Sequence, residues 1–149
     1  MNRYDNEAIG NIVIMKDIIF YNKKTQVYEV DHSWNKGRPC LIIYSDEEYD
    51  YFLPFTSTER GGKYEKQYFP INEENILYSY DYKNEKKIRK KDIKGSINLE
   101  YVYKIPICGE YALKKITFET YKKIIEALKE FHKSDELGQI LEKATIARR

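Results

Sequence analysis

Two cysteines, two histidines and four prolines are all that this 149-residue chain holds of three residue types that often announce a function or a framework. Cys40 and Cys108 are too few and too far apart for a disulfide scaffold or a zinc ribbon. Both lie beside apolar residues in strand-like stretches, where a small buried thiol is the expectation. With only His32 and His132 available, Asp and Glu would have to carry any metal site, and no spaced acidic cluster suggests one. No metal or cofactor is therefore expected. Seven glycines and four prolines exclude collagen-like and Pro-rich chains. No apolar run approaches the roughly 20 residues of a membrane helix. The start, MNRYDNEAIG, is polar and acidic, unlike a secretory leader with a basic end and an apolar core. These absences predict a soluble, cytoplasmic protein. Also missing are a Walker A loop, a dinucleotide-binding glycine fingerprint, an HExxH zinc motif and a nucleophile elbow.

Charge and tyrosine fill the space. The 26 basic and 24 acidic residues nearly cancel, so net charge says little about partners. Their distribution says more: Lys83 to Lys94 (KNEKKIRKKDIK) holds seven basic residues against two acidic ones. Fifteen tyrosines are the second excess. Tyrosine buries area while keeping a hydroxyl for hydrogen bonds. Interleaved with lysine, it can stack on bases while the ammonium groups neutralise phosphates. The plainer alternative is a Lys- and Tyr-rich composition of the AT-rich-genome kind. A chain of this length, 42% hydrophobic, is one domain spanning 1–149.

Read in order, IVIMKDIIFY and TQVYEV form a strand and hairpin pair, and DHSWNKG is too polar to be anything but a loop. Arg38-Pro39 opens the run CLIIYS, whose uniform apolarity predicts a central strand covered on both faces. Ser45 to Glu48 is a turn, and YDYFLPFTS returns beside it. That hairpin brings the neighbourhood of Arg38 back to that of Thr56. TERGGKYEK is a flexible excursion. SINLEYVYKIPI reads as one half-buried strand, with Ile97, Leu99, Tyr101, Tyr103 and Ile105 on a single face. Thr117 caps a helix with Phe118, Tyr121, Ile124, Ile125, Leu128 and Phe131 in one apolar stripe. Asp135 begins a second short helix carrying Leu137, Ile140, Leu141 and Ala144. The predicted class is α+β: a strongly curved, mainly antiparallel sheet or barrel with helices packed on it, one of them C-terminal.

The polar groups left over are His32, Ser33, Trp34, Lys36 and Arg38 before one strand, and Thr56 with Ser57 after the next. Such a set suits attack by a ribose 2'-hydroxyl on the adjacent phosphate, because RNA brings its own nucleophile. The protein has only to supply a base, an acid and hydrogen-bond donors around the phosphoryl oxygens. Lys36 or His32 can transfer protons, Arg38 can clamp two oxygens, Thr56 and Ser57 can donate, and Trp34 can stack a base. Each also has a plain reading: a loop histidine, a solvated lysine, an arginine paired with a carboxylate, a strand-end turn, a lid over the core edge. His132, just past the helix stripe, is read as structural.

The succession GNIVIMKDIIFY, KGRPCLIIY, YFLPFTST and KKDIKGSINLEYVYKI, followed by a covering helix, resembles the endoribonuclease toxins of type III toxin–antitoxin systems. It is most similar to the CptN/TenpN branch, related to ToxN and more distantly to the MazF/PemK-like fold. The resemblance spans roughly Ile9 to Phe131, and its moderately specific part is the RP-strand-turn-strand-TS core. It implies a small barrel-like sheet with helices and metal-independent, sequence-specific cleavage of single-stranded RNA, leaving a 2',3'-cyclic phosphate and a 5'-hydroxyl. It also implies a small pseudoknotted antitoxin RNA, processed by the toxin and bound along a basic groove in a closed assembly of several copies. By position, Lys36 and Arg38 match the family's basic region and Thr56 and Ser57 its Thr/Ser pair. Arg60, Lys63 and Lys66 match the lysine-bearing loop beyond, whereas His32-Ser33 has no clear place in the pattern. Lys83, Lys86, Lys87, Arg89, Lys90, Lys91 and Lys94 would extend the RNA track. Two other readings stay open: a MazF-like toxin held by a protein antitoxin, and a non-catalytic nucleic-acid-binding module.

Overall fold

The computed structural model describes residues 8–56, 66–81, 86–88, 95–107, 112 and 114–149, with residues 78–81 and 86–88 described by their backbone. In chain order the strands are β1 (Asn11–Met15), β2 (Ile19–Asn22), β3 (Val27–Val30), β4 (Arg38–Ser45), β5 (Tyr49–Thr56) and β6 (Tyr68–Ile71). They continue with β7 (Ile76–Asp81), β8 (Lys86–Ile88), β9 (Gly95–Asn98), β10 (Tyr103–Pro106), β11 (Lys114–Ile116) and β12 (Thr145–Arg148). Helices α1 (Phe118–His132) and α2 (Leu137–Leu141) lie between β11 and β12.

The hairpin predicted from CLIIYS and YDYFLPFTS is β4–β5. Its turn is tied by Asp46, whose Oδ1 accepts from the amides of Glu48 and Tyr49 at 2.8 and 2.7 Å. Cys40 pairs with Pro54 and Leu41 with Leu53; beyond Ile42 the register shifts at a bulge, so Tyr44 pairs with Tyr51 and Ser45 with Asp50. The uniform run is buried on both faces, as its composition predicts. Cys40 and Ile42 enter a smaller cluster with Val13, Met15, Ile18, Trp34, Phe52, Ile105 and Ala147. Leu41 and Ile43 enter a larger one that includes Leu53, Ile97, Ile116 and the inner faces of both helices. Enclosing side chains of this size contributes about 1.5–3 kcal/mol each. The Cys40 thiol is fully buried, and burial pushes its pKa well up, which matches the plain reading. Cys108 lies outside the described residues.

From this hairpin the sheet spreads both ways in the order β3-β2-β12-β10-β5-β4-β1-β11-β7-β8, with β9 joined to β5 and β6 to β9. Ladders among the described residues are antiparallel apart from β10 with β12. The path begins at β3 and ends at β8 without meeting itself, so the expected barrel closure is not found. The run IVIMKDIIFY is two strands, broken where Asp17 takes a φ of 53°. Residues 16–18 bridge β1 and β2, so the chain rather than a ladder spans that side of the smaller cluster. The architecture is mixed α/β and sheet-dominated, with a C-terminal helical segment.

Helix α1 starts where Thr117 predicts: its Oγ1 accepts from the Thr120 amide at 3.1 Å. Tyr121, Ile124, Ile125 and Leu128 are buried against the sheet, and the Tyr121 hydroxyl donates to the Ile43 carbonyl at 2.8 Å. Phe118 leaves the expected stripe; it is 37% exposed, on the first turn, under the Lys122 ammonium. His132 is structural as read, its Nε2 lying 2.7 Å from the Leu99 carbonyl oxygen. Ile140, Leu141 and Ala144 are buried from the α2 side as their spacing predicts. The alternation from Ile97 to Ile105 predicts one strand, but the chain turns at Leu99–Val102, where Asn98 Oδ1 accepts from the Glu100 amide at 3.0 Å. The phase therefore slips: Ile97, Leu99 and Val102 face the larger cluster, Ile105 faces the smaller one, and Tyr101 is 56% exposed.

One carboxylate is enclosed by this packing. Asp50 is 5% exposed and accepts from the Ser45 hydroxyl at 2.6 Å across the hairpin. Burial raises its pKa, against the pull of the Ser45 hydrogen bond and the Arg149 charge. A carboxyl whose folded pKa is raised favours the protonated form in the fold. Its contribution to stability therefore falls as pH rises from the unfolded value through the folded one. Asn keeps an acceptor for Ser45 without the charge. Asp50→Asn should raise the melting temperature at neutral pH by about 2–4 °C, the shift that ~1 kcal/mol gives in a domain of this size. Thermal melts from pH 3.5 to 7.5 should show the gain vanishing at the acid end; a loss of stability at neutral pH contradicts this account.

Candidate nucleic-acid site

The polar stretch before β4 is a single 3-10 turn, His32–Trp34, capped by Asp31. Asp31 Oδ1 accepts from the Ser33 amide at 3.0 Å and from the Ser33 hydroxyl at 2.7 Å. These bonds, with smaller help from the Arg38 and His32 charges, hold the Asp31 carboxyl below its usual range. The turn sends His32 and Ser33 to solvent and Trp34 inward. Gly37, at φ +85°, then swings the chain into β4; a Cβ there would meet Ile14 Cγ2 at 2.9 Å, so glycine is required.

Trp34 is not a base-stacking residue. It is 2% exposed, with ring centroids 5.2 Å from Phe20, 5.9 Å from Tyr103 and 6.3 Å from Phe52. An indole enclosed in this way has no face left for a nucleobase. It fits the plain reading, a plug at the edge of the core, and it carries the Arg38 guanidinium 4.8 Å from its centroid. A cation over an indole is stabilised by the ring's electron-rich face and keeps its charge.

Arg38 is half-buried and forms no ion pair among the described residues. It begins β4, opposite Met15 of β1. Thr56 ends β5, half-buried and opposite Ser96 of β9. Each stands two residues beyond the Cys40–Pro54 pair, so the period of two puts both on the same face of the hairpin. The hairpin thus brings Arg38 and Thr56 to one end, as their place in the sequence predicts. Lys36 is exposed one turn away and has no charged partner among the described residues.

His32 is exposed, with Nδ1 3.2 Å from Asn35 Nδ2. The Ser33 hydroxyl gives its proton to Asp31 and is a capping group first.

Other expected contacts fall elsewhere. Lys66 pairs with Glu130 at 3.8 Å, both side chains largely exposed. Glu130 belongs to α1, which covers the opposite face of the hairpin from Trp34, so Lys66 is not brought to Arg38. Lys86 and Lys87 lie in β8 at the sheet's edge, reached from β4 through β1, β11 and β7. Four strand spacings make that roughly 19 Å. Ser57, Arg60, Lys63, Lys83, Arg89, Lys90, Lys91 and Lys94 lie outside the described residues.

Two residues join the site that sequence reasoning left out of it. Asp31 was hidden as an ordinary loop acid, although an Asp two residues before a Ser is itself a capping signal. Tyr103 was assigned to a strand face with no chemistry attached. Its ring stacks on Phe52 at 5.6 Å, and burial, with the neighbouring Tyr101 and Asp31, pushes its pKa up to about 12. The phenol therefore stays protonated across the physiological range. Among the described residues no three His, Cys, Asp or Glu side chains gather as a metal-ligand set. No helix described is long and apolar enough to cross a membrane.

No protein-family model matches the chain, and no significant match is found to a curated protein or a solved structure.

Placing Trp34 in the core makes a separable prediction. Trp34→Ala should destabilise the fold by about 3–5 kcal/mol in chemical denaturation. Trp34→Phe, which keeps an aromatic plug, should lose much less. A Trp34→Ala protein as stable as the parent would contradict the core placement.

Proposed function

We propose that the chain is a metal-independent endoribonuclease that cleaves single-stranded RNA by attack of a 2'-hydroxyl on the adjacent phosphate. The observation that carries this reading is Arg38: a guanidinium braced on an indole, in no salt bridge among the described residues, at the hairpin end that also holds Thr56. A planar cation held this way suits two phosphoryl oxygens. Thr56 adds a hydroxyl donor on the same strand end, and Ser57 follows it in the sequence.

In the reaction the O2'–phosphorus bond forms as the phosphorus–O5' bond breaks. Lys36 and His32 are the two groups that transfer protons, one taking the 2'-hydroxyl proton and the other, protonated, delivering one to the departing O5'. The products are a 2',3'-cyclic phosphate and a 5'-hydroxyl, and the RNA supplies the only nucleophile. Arg38 stabilises the charge that develops on the phosphoryl oxygens.

The finer reading is a toxin of the type III toxin–antitoxin kind, with a MazF/PemK-like curved sheet, acting in the cytoplasm and held by a small structured RNA in a closed multi-copy assembly. The resemblance in the RP-strand-turn-strand-TS core and the basic excess of Lys83 to Lys94 support it. A structured RNA needs a wider cationic surface than a short substrate, and β8 sets part of that run beyond the hairpin along the sheet.

Purified protein should cleave single-stranded RNA in EDTA, with cyclic phosphate ends, and Arg38→Ala should slow the reaction by about 10²–10³-fold. RNA binding with no metal-independent cleavage would move the assignment to a non-catalytic binding module. Changing Lys86, Lys87, Lys90 and Lys91 together to Ala should weaken structured-RNA binding. It should also flatten the log–log salt dependence by about 0.7–0.9 per lost phosphate contact. An unchanged slope removes this segment from the RNA track.

A further inference from the structure

Beside the phosphate-binding end lies a cleft that the chemistry above does not use. It measures about 680 Å3 and opens between the β2–β3 hairpin and the start of β10. Tyr21, Tyr101 and Tyr103 supply aromatic surface, Asp31 and Glu29 carboxylates, and Lys24 a cation. Two polar groups there lack protein partners among the described residues. Asp31 spends Oδ1 on Ser33 and leaves Oδ2 open. The Tyr103 hydroxyl, on a largely buried ring, forms no hydrogen bond among the described residues.

We infer that this cleft is a subsite for a guanine base next to the phosphate at Arg38, an assignment that rests on the endoribonuclease reading for that phosphate. Position comes first. The Tyr103 ring lies 5.9 Å from that of Trp34, and Trp34 carries Arg38 at 4.8 Å, so the inner wall of the cleft adjoins the cation. A base in the cleft therefore sits beside a phosphate at the guanidinium. Tyrosine faces stack on any base, so the polar groups must choose.

A carboxylate only accepts hydrogen bonds. Guanine offers it two adjacent donors, N1–H and N2–H2, and turns O6 and N7 toward donors such as Lys24 and the Tyr103 hydroxyl. Uracil sets carbonyl oxygens on either side of a single N–H, and a fixed carboxylate repels them. Adenine and cytosine each bring one amino group beside a bare ring nitrogen. Of the four bases, guanine alone offers the carboxylate two adjacent donors while keeping two acceptors for the hydroxyl and the ammonium group.

Trp34 is the single tryptophan, and it touches both Arg38 and Tyr103, so its emission reports the site. Titration of the full chain with guanosine 3'-monophosphate should give a response at concentrations about tenfold lower than uridine 3'-monophosphate. Tyr101→Ala, at an exposed position, should weaken the guanosine response about tenfold by removing a stacking face. Asp31→Asn keeps an acceptor for Ser33 but turns the open oxygen into a donor, and should abolish the preference or shift it toward uridine. Equal responses to the two nucleotides, no response to either, or a preference unchanged in Asp31→Asn overturns the subsite. Cleavage of RNA without a guanine preference likewise removes the subsite and leaves the nuclease reading standing. A guanosine preference in a protein that cleaves nothing does the reverse.

Discussion

Everything else in this fold leans on a hairpin that has no exposed face. β4 and β5 are covered by helices on one side and by a folded-over set of short strands on the other, and consecutive residues of β4 serve different cores. A strand of this kind tolerates no polar residue along its middle, so polar chemistry is pushed to its ends. Arg38 and Thr56 occupy those ends, whereas Cys40 to Ile43 cannot leave the interior. The bulge beyond Ile42 lets Ile43 and Tyr44 both turn toward the larger core, and Ser45 and Asp50 face the smaller one again. Site and scaffold are thus set by the same alternation.

What could be read from the chain follows from that alternation. The uniform run from Cys40 to Tyr44 predicts two-sided burial, and the helix from Thr117 declares itself by cap and stripe; both are local signals strong enough to survive tertiary packing. The break at Asp17 and the turn at Leu99 to Val102 were not legible, because each interrupts an apolar pattern without a proline or a glycine to mark it. The strand at Thr145–Arg148 is four residues long and owes its existence to β2 and β10 on its flanks. No periodicity of its own could reveal it.

The site divides in the same way. Arg38 and Thr56 were legible from the hairpin, since pairing geometry follows from turn and strand lengths. Trp34 was misplaced because an indole in a polar loop has two opposite fates, and neighbours 14 and 18 positions away, Phe20 and Phe52, decide between them. Asp31 and Tyr103 were invisible as a pair: they are far apart in the chain and meet only across the cleft between the β2–β3 hairpin and β10. The resulting arrangement sets a capped carboxylate and a neutral phenol near a guanidinium that forms no salt bridge among the described residues. The field there changes sign over a short distance.

β12 brings an additional constraint of time. Ala147 pairs with Phe20 across 127 positions of chain, and the smaller core takes members from Val13 to Ala147. A core of that span cannot be completed before residue 147 has been made, and long-range pairing of this kind slows its closure. Trp34, and the guanidinium braced upon it, gain their final surroundings only after synthesis has passed residue 147. A nascent chain therefore carries the residues of the site well before it carries the site itself.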